Sequence, residues 1–313
     1  MDTILLGADI GGSKTRALIA DGDGRKLGAG QAGPGNHEVV GYDGMGRALG
    51  DATDQALAAA GLKLEDISAA GLGIAGYDWP SQRQLMLDVL TGLGYTMPLE
   101  IVNDAILGLL AGAEEGWGVA VIAGTGCNCW GWDRTRQRVG HATGGGPGMG
   151  EHAGGGDLVQ KAVQSLAHEW TRRGPSTSLT PLFLAHTGAR DLEDLLEGLM
   201  TGVYRLDASA APLVFRAAAE GDAVAEGLVR WAGQELGELA IGVIRQLGLE
   251  REEFDVVQMG SLWKGSPTLS EAMLERLHPC APGARLVGLS VPPVHGAIIL
   301  AEEVARRFGS GHG

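Results

Sequence analysis

The stretch "DIGGSKT", Asp9 to Thr15, sets a carboxylate, two glycines, two hydroxyls and an amine between two short apolar runs. Backbone N–H groups of a glycine-rich turn can line a concavity for anionic oxygens, and Ser13, Thr15 and Lys14 add donors and positive charge. Asp9, just before the turn, could hold a hydrated Mg²⁺ ion. A tight hairpin whose glycines supply positive φ explains the same residues. Taken alone, the stretch does not decide between these two explanations.

Two more glycine turns follow apolar strands later in the chain. Gly124-Thr125-Gly126 comes after "VAVIA", and Gly260-Ser261 comes after the predicted strand Phe254–Met259. One glycine-rich hairpin is common, but two at equivalent places of a weakly repeated strand-turn-strand pattern suggest a phosphate chain held from both sides. At Gly260-Ser261 a strand ends and a helix begins. The backbone there could pack against a nucleotide base or ribose.

Asp104 follows the apolar strand Leu99–Val102 and Asn103, and it opens a predicted helix. Asp is a common N-cap, which is the structural explanation. The functional explanation is a general base at the carboxyl end of a strand, where α/β sheets place ligands. The two roles are compatible. Asp78, in "GYDWPS", could bind ligand hydroxyls or cap the helix predicted near Pro80, and the pattern favours the cap.

Strands and helices alternate around these residues, which predicts an α/β protein with a partly parallel sheet. We expect strands at 3–10, 16–21 and 26–32, a helix over 43–60, a strand at 68–75, a helix from about 80, a strand at 99–102 and a helix over 104–113. A second meander starts at Gly118, residues 155–248 are mostly helical, and strands at 254–259 and 285–289 precede a C-terminal helix. The length of 313 residues favours two lobes, 1–113 and 114–292. The last helix, about 293–313, is a candidate to pack back on the first lobe.

The composition narrows the classes of partner. A formal net charge of −14 disfavours nucleic-acid and anionic-membrane binders, because both reward clustered Lys and Arg. Three cysteines, Cys127, Cys129 and Cys280, are too few for a disulfide framework and lack the spacing of a metal site. Without a leader-like or membrane-length apolar run, we expect a cytoplasmic protein. The 53 glycines are an excess that we attribute to turns needing positive φ or approaching a ligand.

Together these motifs resemble the sugar kinases of the ASKHA superfamily, which includes actin, Hsp70 and hexokinase. Four segments carry the likeness in the family's order: "DIGGSKTRALIAD", "VNDAILGLLAG", "VAVIAGTGCNCWGWD" and "VVQMGSLWKGS". More narrowly, "GPGNHEVVG", "AGYDWPSQR" and "GTGCNC" resemble the N-acetylglucosamine kinase branch of the BadF/BadG/BcrA/BcrD ATPase group. The resemblance implies an α/β, two-lobed actin-like (ribonuclease H-like) fold with duplicated lobes around a nucleotide cleft. It also implies a homodimer.

The resemblance further implies a role for each motif. The glycine turns would bind ATP, and Asp9 would hold Mg²⁺ through water. Asp104 would take the proton of a sugar hydroxyl, in this branch the 6-hydroxyl of an amino sugar such as N-acetylglucosamine. The implied nucleotide-binding residues are Gly11, Gly12, Ser13, Lys14, Thr15, Gly124, Thr125, Gly126, Gly260 and Ser261. The implied sugar-binding residues are Asn36, His37, Asp78, Asn103, Asp104, Gly145, Gly146 and Glu151.

The segment "GGGPGMGEHAGGG" departs from the family pattern, roughly G-W-G-P-x-x-G-D-E-G-S. Gly145 replaces Trp, Glu151 replaces Asp, His152 replaces Glu and Gly154 replaces Ser. The sugar pocket is therefore expected to be wider or differently charged, and glucosamine or another amino sugar stays an alternative substrate. A partner-activating ATPase of the BadF type and a sugar sensor without catalysis also stay open. The first lacks its well-separated second cysteine here, and the second would not need every phosphate motif.

Overall fold

The structure is a computed structural model that describes residues 3–309. It is α/β, as the sequence predicts, with two five-stranded sheets of order β3-β2-β1-β4-β5 and β10-β9-β6-β7-β8. The strands are β1 Ile4–Ile10, β2 Thr15–Asp21, β3 Lys26–Ala32, β4 Ala69–Ile74, β5 Leu99–Asn103, β6 Gly118–Ala123, β7 Cys127–Trp132, β8 Val139–His141, β9 Phe254–Met259 and β10 Ala284–Gly288. The helices are α1 His37–Ala60, α2 Arg83–Gly92, α3 Asp104–Gly112, α4 Gly155–Trp170, α5 Leu179–Thr187, α6 Leu192–Thr201, α7 Ala211–Ala219, α8 Ala223–Leu247, α9 Pro267–Leu277 and α10 Val294–Gly309. Within residues 3–309, no helix combines the length and apolarity that crossing a membrane requires.

The chain divides into two compact units. The first contains the described residues up to Ala120, Trp130–Val139 and the segment from Val287 onward, and the second contains Val121–Cys129 and Gly140–Leu286. The sequence-based divisions at 113/114 and 292/293 lie a few residues away, and they leave Trp130–Val139 in the second lobe. Arg136 supplies a physical reason for the difference. Its guanidinium pairs with Glu303 of α10 and lies 5.7 Å from the ring centre of Trp132, and these partners belong to the first unit.

Three parallel strands of the first sheet end together. Ile10 of β1 is paired with Ile74 of β4, which is in turn paired with Asn103 of β5. β2 and β3 extend the sheet in antiparallel fashion on the other side of β1. Because α/β sheets place ligands at the carboxyl ends of their parallel strands, this edge is where a site is expected.

Helices cover both faces of the first sheet. α1 and α2 bury Leu49 and Met86 in the core on one face. α10 packs on the other face, where Ile298 and Val304 join the buried cluster around Leu5 of β1. β1, β2 and β4 carry buried residues on both faces, as expected for strands covered by helices on two sides.

Strand glycines let these helices approach the sheet closely. A methyl group added to Gly30 of β3 would lie 2.0 Å from the carbonyl oxygen of Ala52 in α1. One added to Gly71 of β4 would lie 2.3 Å from the carbonyl oxygen of Ala297 in α10. Part of the glycine excess therefore serves helix–sheet packing, and the attribution of the whole excess to turns is wrong.

The helix predicted over 43–60 begins earlier, at His37. Its N-cap is Asn36, whose Oδ1 accepts a hydrogen bond from the N–H of Glu38 at 2.9 Å. Gly41 interrupts the helix with φ 70° and ψ 169°, a conformation that favours glycine. The interruption explains why apolar helical spacing is visible only after Gly41.

Candidate active site

Three carboxylates lie at the edge where β1, β4 and β5 end. Asp9 is the last residue but one of β1, Asp78 follows β4, and Asp104 follows β5. Asp9 and Asp104 are each partly buried, whereas only 5% of the Asp78 surface is exposed. The sequence predicts all three as functional residues, and the structure brings them to one edge of the first unit.

The surroundings shift the pKa values of two of these carboxylates. Burial raises the pKa of Asp104 to about 7, with further contributions from the charges of Asp9 and Asp78, and hydrogen bonds from backbone N–H groups at the start of α3 oppose the shift. Burial also raises the pKa of Asp9 to about 6, although the charges of Arg16 and Lys14 oppose it. A carboxylate with a pKa near neutrality exchanges protons readily at physiological pH, which is the property of a general base.

Asn103 ties the end of β5 to the segment after β4. Its Oδ1 accepts from the N–H of Ala105 at 3.0 Å, and its Nδ2 donates to the carbonyl oxygen of Tyr77 and to Oδ1 of Asp78, both at 3.2 Å. Asn103 is therefore the N-cap of α3, and the cap role predicted for Asp104 is wrong because Asp104 is already inside the helix. The cap leaves the Asp104 carboxylate available for chemistry.

Asp78 does not cap the helical turn at Pro80–Gln82, whose N-cap is Trp79, so the favoured cap role is also wrong. The side chain of Gln82 closes this turn instead. Its Oε1 accepts from the N–H groups of Asp78 at 2.9 Å and Trp79 at 2.8 Å, and its Nε2 lies 3.4 Å from Nε2 of His37.

Asn36 and His37 begin α1 beside the same edge. The side-chain Oδ1 of Asn36 accepts the cap hydrogen bond, so Nδ2 is the end of this amide that can donate. Nδ2 lies 3.4 Å from a carboxylate oxygen of Glu38. The His37 ring stacks on Tyr42 with 4.7 Å between ring centres. A methyl group on Gly76 would lie 2.6 Å from Oδ1 of Asn36 and 3.1 Å from Cε1 of His37. The start of α1 thus packs directly against the segment after β4.

The turn after β1 exposes its central residues to solvent. Gly12, Ser13 and Lys14 are exposed, whereas Thr15 is fully buried and its hydroxyl has no hydrogen-bond partner among residues 3–309. The N–H of Gly11 donates to the carbonyl oxygen of Lys14 at 3.0 Å. Neither glycine has positive φ, and a methyl group on Gly12 would meet nothing within 4 Å. Positive φ therefore does not explain either glycine. A methyl group on Gly11 would lie 3.0 Å from the carbonyl oxygen of Lys14, so the tight turn accounts for Gly11, whereas the space beside Gly12 is open.

The second glycine turn lies between β6 and β7 and rests on the start of α4. The N–H of Gly124 donates to the carbonyl oxygen of Gly126 at 2.9 Å. The carbonyl oxygens of Gly124 and Thr125 accept from the N–H groups of Gly155 at 2.8 Å and Gly156 at 3.1 Å. The turn is thereby held at a helix N-terminus, the end whose dipole favours anions.

A pocket of about 910 Å³ in the second unit joins two of the predicted nucleotide segments. Gly124 and Thr125 contribute to its wall, as does Ser261. The other lining residues are Asp207, Ala208, Ser209, Ala211, Pro212, Phe215, Arg216, Ala219, Leu262, Lys264 and Gly265. The size and the mixture of apolar walls with a few polar groups are typical of small-molecule sites.

Gly260 does not line this pocket and has a packing role. Its φ is 97°, and a methyl group there would lie 2.3 Å from the carbonyl oxygen of Ala123. Only glycine combines that backbone conformation with so close an approach of β9 to the end of β6. The glycine predicted to bind nucleotide at this position therefore shapes the turn that presents Ser261.

Glu151 closes the loop in which the sequence departs from its family pattern. Its Oε1 accepts from the N–H and, at 2.7 Å, the hydroxyl of Thr143, and its Oε2 accepts from the N–H of Gly146 at 3.1 Å. Only 5% of the Glu151 surface is exposed. A methyl group on Gly145 would lie 2.4 Å from Cγ of Met149, so this glycine makes room for that side chain. The carboxylate of Glu151 thus holds the loop backbone in place.

The cysteines beside the second turn are held neutral. Burial raises the pKa of Cys127 to about 12 and raises that of Cys129 well above its ordinary value. The Cys127 thiol donates to the carbonyl oxygen of His152 at 2.9 Å. Among the side chains of residues 3–309, no group of three or more His, Cys, Asp and Glu is arranged to hold a metal ion.

Residues 6–301, nearly the whole chain, match the model of one protein family, described as the BadF/BadG/BcrA/BcrD ATPase family. The chain belongs to this family. The match covers every motif singled out in the sequence, from the turn after β1 to the end of β9, and it confirms the resemblance on which the site residues were chosen.

Two relatives align with this BadF/BadG/BcrA/BcrD family member along most of its length. The N-acetylmuramic acid/N-acetylglucosamine kinase of Clostridium acetobutylicum is 27% identical over 299 residues, which cover 95% of this chain and 97% of the relative. The N-acetyl-D-glucosamine kinase of Dictyostelium discoideum is 28% identical over 311 residues, with the same two coverages, 95% and 97%. The alignments leave no large part of either protein unmatched.

Solved structures of sugar kinases share the fold of this chain. A Chromobacterium violaceum protein, provisionally described as an N-acetylglucosamine kinase, superposes with a TM-score of 0.70 at 26% identity and covers 96% of this chain and 99% of its own. A ROK family glucokinase from Streptomyces griseus superposes with a TM-score of 0.60 at 21% identity, with coverages of 98% and 100%. The actin-like α/β fold class predicted from the sequence is confirmed.

Sequence reasoning missed Gln82 and most of the pocket wall. Lys264 and Gly265 lie three and four residues after Ser261, inside the quoted motif "VVQMGSLWKGS", but the sequence analysis did not select them as site residues. Pro212 and Phe215 lie on α7, and no sequence signal could have found them because apolar residues at helical spacing read equally well as core. The turn of Gln82 is closed by local hydrogen bonds to the N–H groups of Asp78 and Trp79, whereas its contact to His37 depends on the start of α1, which is distant in sequence.

Proposed function

We propose that this protein is an ATP-dependent sugar kinase that phosphorylates an amino sugar, with N-acetylglucosamine at its 6-hydroxyl as the first candidate. The observation that carries the proposal is Asp104, a partly exposed carboxylate at the carboxyl end of β5 with a pKa near neutrality. Family membership and the kinase names of both relatives support it. ATP is the nucleotide that the family's own name specifies.

In the proposed reaction Asp104 is the general base. Its carboxylate accepts the proton of the sugar hydroxyl as that oxygen attacks the γ-phosphorus of ATP. A new bond forms between the sugar oxygen and the γ-phosphorus, the bond from that phosphorus to the β,γ-bridging oxygen breaks, and ADP leaves. The pKa of about 7 leaves a large fraction of Asp104 ionised at physiological pH, which supplies the base in its active form.

The proposed nucleotide-binding residues belong to the three glycine turns, in the third of which Gly260 shapes the turn and Ser261 lines the pocket. In the first turn, Gly12, Ser13 and Lys14 are exposed and offer N–H groups, a hydroxyl and an ammonium group to phosphate oxygens. Thr15 would contribute only its backbone, because its side chain is fully buried. In the second unit, the pocket lined by Thr125 and Ser261 is the proposed nucleotide pocket. Its apolar wall suits the adenine ring of ATP.

Asp9 is the proposed contact to Mg²⁺. Carboxylate oxygen is the donor that this hard ion prefers, and a single partly exposed carboxylate suits an ion that keeps most of its waters. The residues present therefore fit the ion. Mg²⁺, when bound, would neutralise charge on the phosphate oxygens.

The proposed sugar site lies at the edge where β4 and β5 end. Asn36, through its Nδ2, and Asp78 are proposed to meet sugar hydroxyls, with His37 beside them. Asn103 would act by positioning, since its amide already bonds to Tyr77, Asp78 and Ala105. Gly145, Gly146 and Glu151, which belong to the second unit, stay predicted sugar-binding residues on the strength of the family resemblance alone.

A coupled ADP-release screen tests the proposal. The protein is assayed with N-acetylglucosamine, glucosamine, N-acetylmannosamine, N-acetylmuramic acid and glucose, with and without Mg²⁺. Sugar-dependent ADP release that is greatest with N-acetylglucosamine supports the proposal, and a preference for glucosamine would assign the alternative substrate. ADP release that no sugar changes would refute the kinase and favour a partner-activating ATPase.

We also propose a cytoplasmic homodimer, supported by the resemblance to the N-acetylglucosamine kinase branch and by three cysteines that form no disulfide among the described residues. Light scattering after size-exclusion chromatography tests the dimer: a mass near 32.3 kDa would refute it, and twice that mass would support it.

A further inference from the structure

The side chain of Gln82 joins two segments of the proposed sugar site. Its Oε1 accepts two backbone N–H groups, from Asp78 at 2.9 Å and from Trp79 at 2.8 Å. Reversing the amide would set its NH₂ group against both of these donors. The orientation of the amide is therefore determined, and the end that faces His37 is the NH₂ group.

That orientation determines the tautomer of His37. An amide NH₂ group only donates hydrogen bonds, so Nε2 of His37, 3.4 Å away, must accept. The neutral ring then carries its proton on Nδ1. Nδ1 is buried and has no hydrogen-bond partner among residues 3–309. Within the described part of the chain, Gln82 thus supplies the one hydrogen bond that orients this ring, while Tyr42 stacks on its face.

Protonation of His37 would break this contact. The imidazolium donates from both nitrogens, so an N–H at Nε2 would point at the NH₂ group of Gln82. Burial lowers the pKa of His37, which keeps the ring neutral near pH 7, and the charge of Glu38 opposes that shift. The other titratable groups around the contact are Tyr42, stacked on the ring, Asp78, whose N–H donates to Gln82, and Arg83, next to Gln82 in sequence.

We infer that Gln82 is a positioning residue of the sugar site, which holds the start of α1 against the segment after β4 only while His37 is neutral. The inference rests on the proposed function, because Asn36 and Asp78 matter to a substrate only if the edge binds sugar. This role predicts that sugar affinity depends on pH, and that the dependence is set by the NH₂ group of Gln82 that faces His37.

Two variants separate this role from general stability. Gln82→Ala removes the contact at every pH. Gln82→Glu keeps an oxygen for the two backbone N–H groups but presents His37 with a second oxygen, which can only accept, so the variant favours a proton on Nε2. Gln160→Glu, at an exposed position of α4, is the control for an added charge.

The measurement is the Kd of N-acetylglucosamine by titration calorimetry at pH 5, 6.5 and 8. For the wild type and Gln160→Glu we expect binding to weaken as the pH falls. Gln82→Ala also removes the acceptor of the Asp78 and Trp79 N–H groups. We therefore expect a Kd at least about fivefold higher at pH 8, the ratio of one ordinary hydrogen bond, with little further change at pH 5. For Gln82→Glu we expect the reverse trend, with tighter binding at pH 5 than at pH 8.

Nitrogen-15 NMR of His37 supplies a readout that needs no sugar. We expect the proton on Nδ1 in the wild type at pH 8 and on Nε2 in Gln82→Glu. A wild-type ring protonated on Nε2, a Gln82→Ala Kd equal to that of the wild type, or an unchanged pH trend in Gln82→Glu would each overturn the inference. If the wild type neither binds nor phosphorylates any of the five sugars, the proposed function fails and this role fails with it, whereas failure of the variants alone leaves the proposed function standing.

Discussion

Replacement of Asp104 by Asn tests whether the structure has placed a charge where it assists a reaction at the expense of stability. The substitution keeps the size of the side chain and a carbonyl oxygen that can still accept the backbone N–H groups at the start of α3. It removes the ability to ionise. The two expected consequences, a slower reaction and a more stable protein, have opposite signs.

The stability effect can be worked from the pKa. Asp104 titrates near 7 in the folded protein against a reference value of 3.8, a difference of about 3 pKa units. Between these two values the folded state binds more protons than the unfolded state, so stability falls as the pH rises from about 4 to 7. At about 1.4 kcal/mol per unit the full penalty above pH 7 is about 4 kcal/mol. Because the carboxylate is partly exposed, we expect about 1–3 kcal/mol.

Asp104→Asn removes this penalty. At pH 8 we expect its Tm to exceed that of the wild type by at least about 2 °C, at the 2–4 °C per kcal/mol typical of large domains. At pH 4, where the wild-type carboxyl is protonated, the two Tm values should coincide. Turnover should fall about 10²–10⁴-fold, the contribution of a positioned general base, while the Kd of ATP stays unchanged.

Differential scanning fluorimetry at pH 4, 6 and 8, followed by the coupled ADP assay, makes the comparison. Asp51→Asn, on the exposed side of α1, is the matched control and should change neither the Tm trend nor turnover. The electrostatic reasoning would be contradicted if Asp104→Asn had no higher Tm than the wild type at pH 8. It would also be contradicted if the difference in Tm were the same at pH 4 and pH 8. Unchanged turnover would refute Asp104 as the base.

Three further predictions follow from the same structure. The kcat/KM for sugar should fall about tenfold per pH unit below pH 7, because Asp104, with a pKa raised to about 7, must be ionised to act; a profile flat from pH 5 to 8 would contradict this. Gly124→Val should raise the Kd of ATP at least tenfold by placing a branched side chain in the wall of the pocket of about 910 Å³, without lowering the Tm, since the added β-carbon would meet nothing within 4 Å; fluorescence titration with ATP checks it. Gly30→Ala should destabilise the first unit by about 1–3 kcal/mol, because the added methyl group would lie 2.0 Å from the carbonyl oxygen of Ala52, whereas Gly12→Ala should leave the Tm unchanged in the same thermal melts.

The sequence allowed the fold class and most elements to be predicted, because strand and helix periodicities are local. β3 agrees with its prediction residue for residue, and β4 and β5 agree within one residue at each end. The start of α1 was missed because Gly41 breaks the helical period. The caps at Asp78 and Asp104 were misassigned because a cap depends on a hydrogen bond to an N–H two or three residues later, and the residue type alone permits several choices of cap position.

For the site, residue types pointed to the chemistry and packing decided the roles. A carboxylate after a strand was visible in the sequence at Asp104. The raised pKa was not, because it arises from burial and from Asp9 and Asp78, which are brought close by the register of β1, β4 and β5. Likewise Glu151 and Asn103 were chosen as sugar ligands by motif position, and their hydrogen bonds show them holding backbone in place.

By itself, then, the sequence of this BadF/BadG/BcrA/BcrD family member determined the α/β class, the order of its motifs and the identity of the groups that could bind phosphate or accept a proton. Those properties reside in residue type and in spacing of a few residues. Only the tertiary structure decided which carboxylates have a raised pKa, which glycines make room for helices and which have open space beside them, and that Gln82 lies beside His37. Each of these depends on atoms that are distant in the chain and adjacent in space.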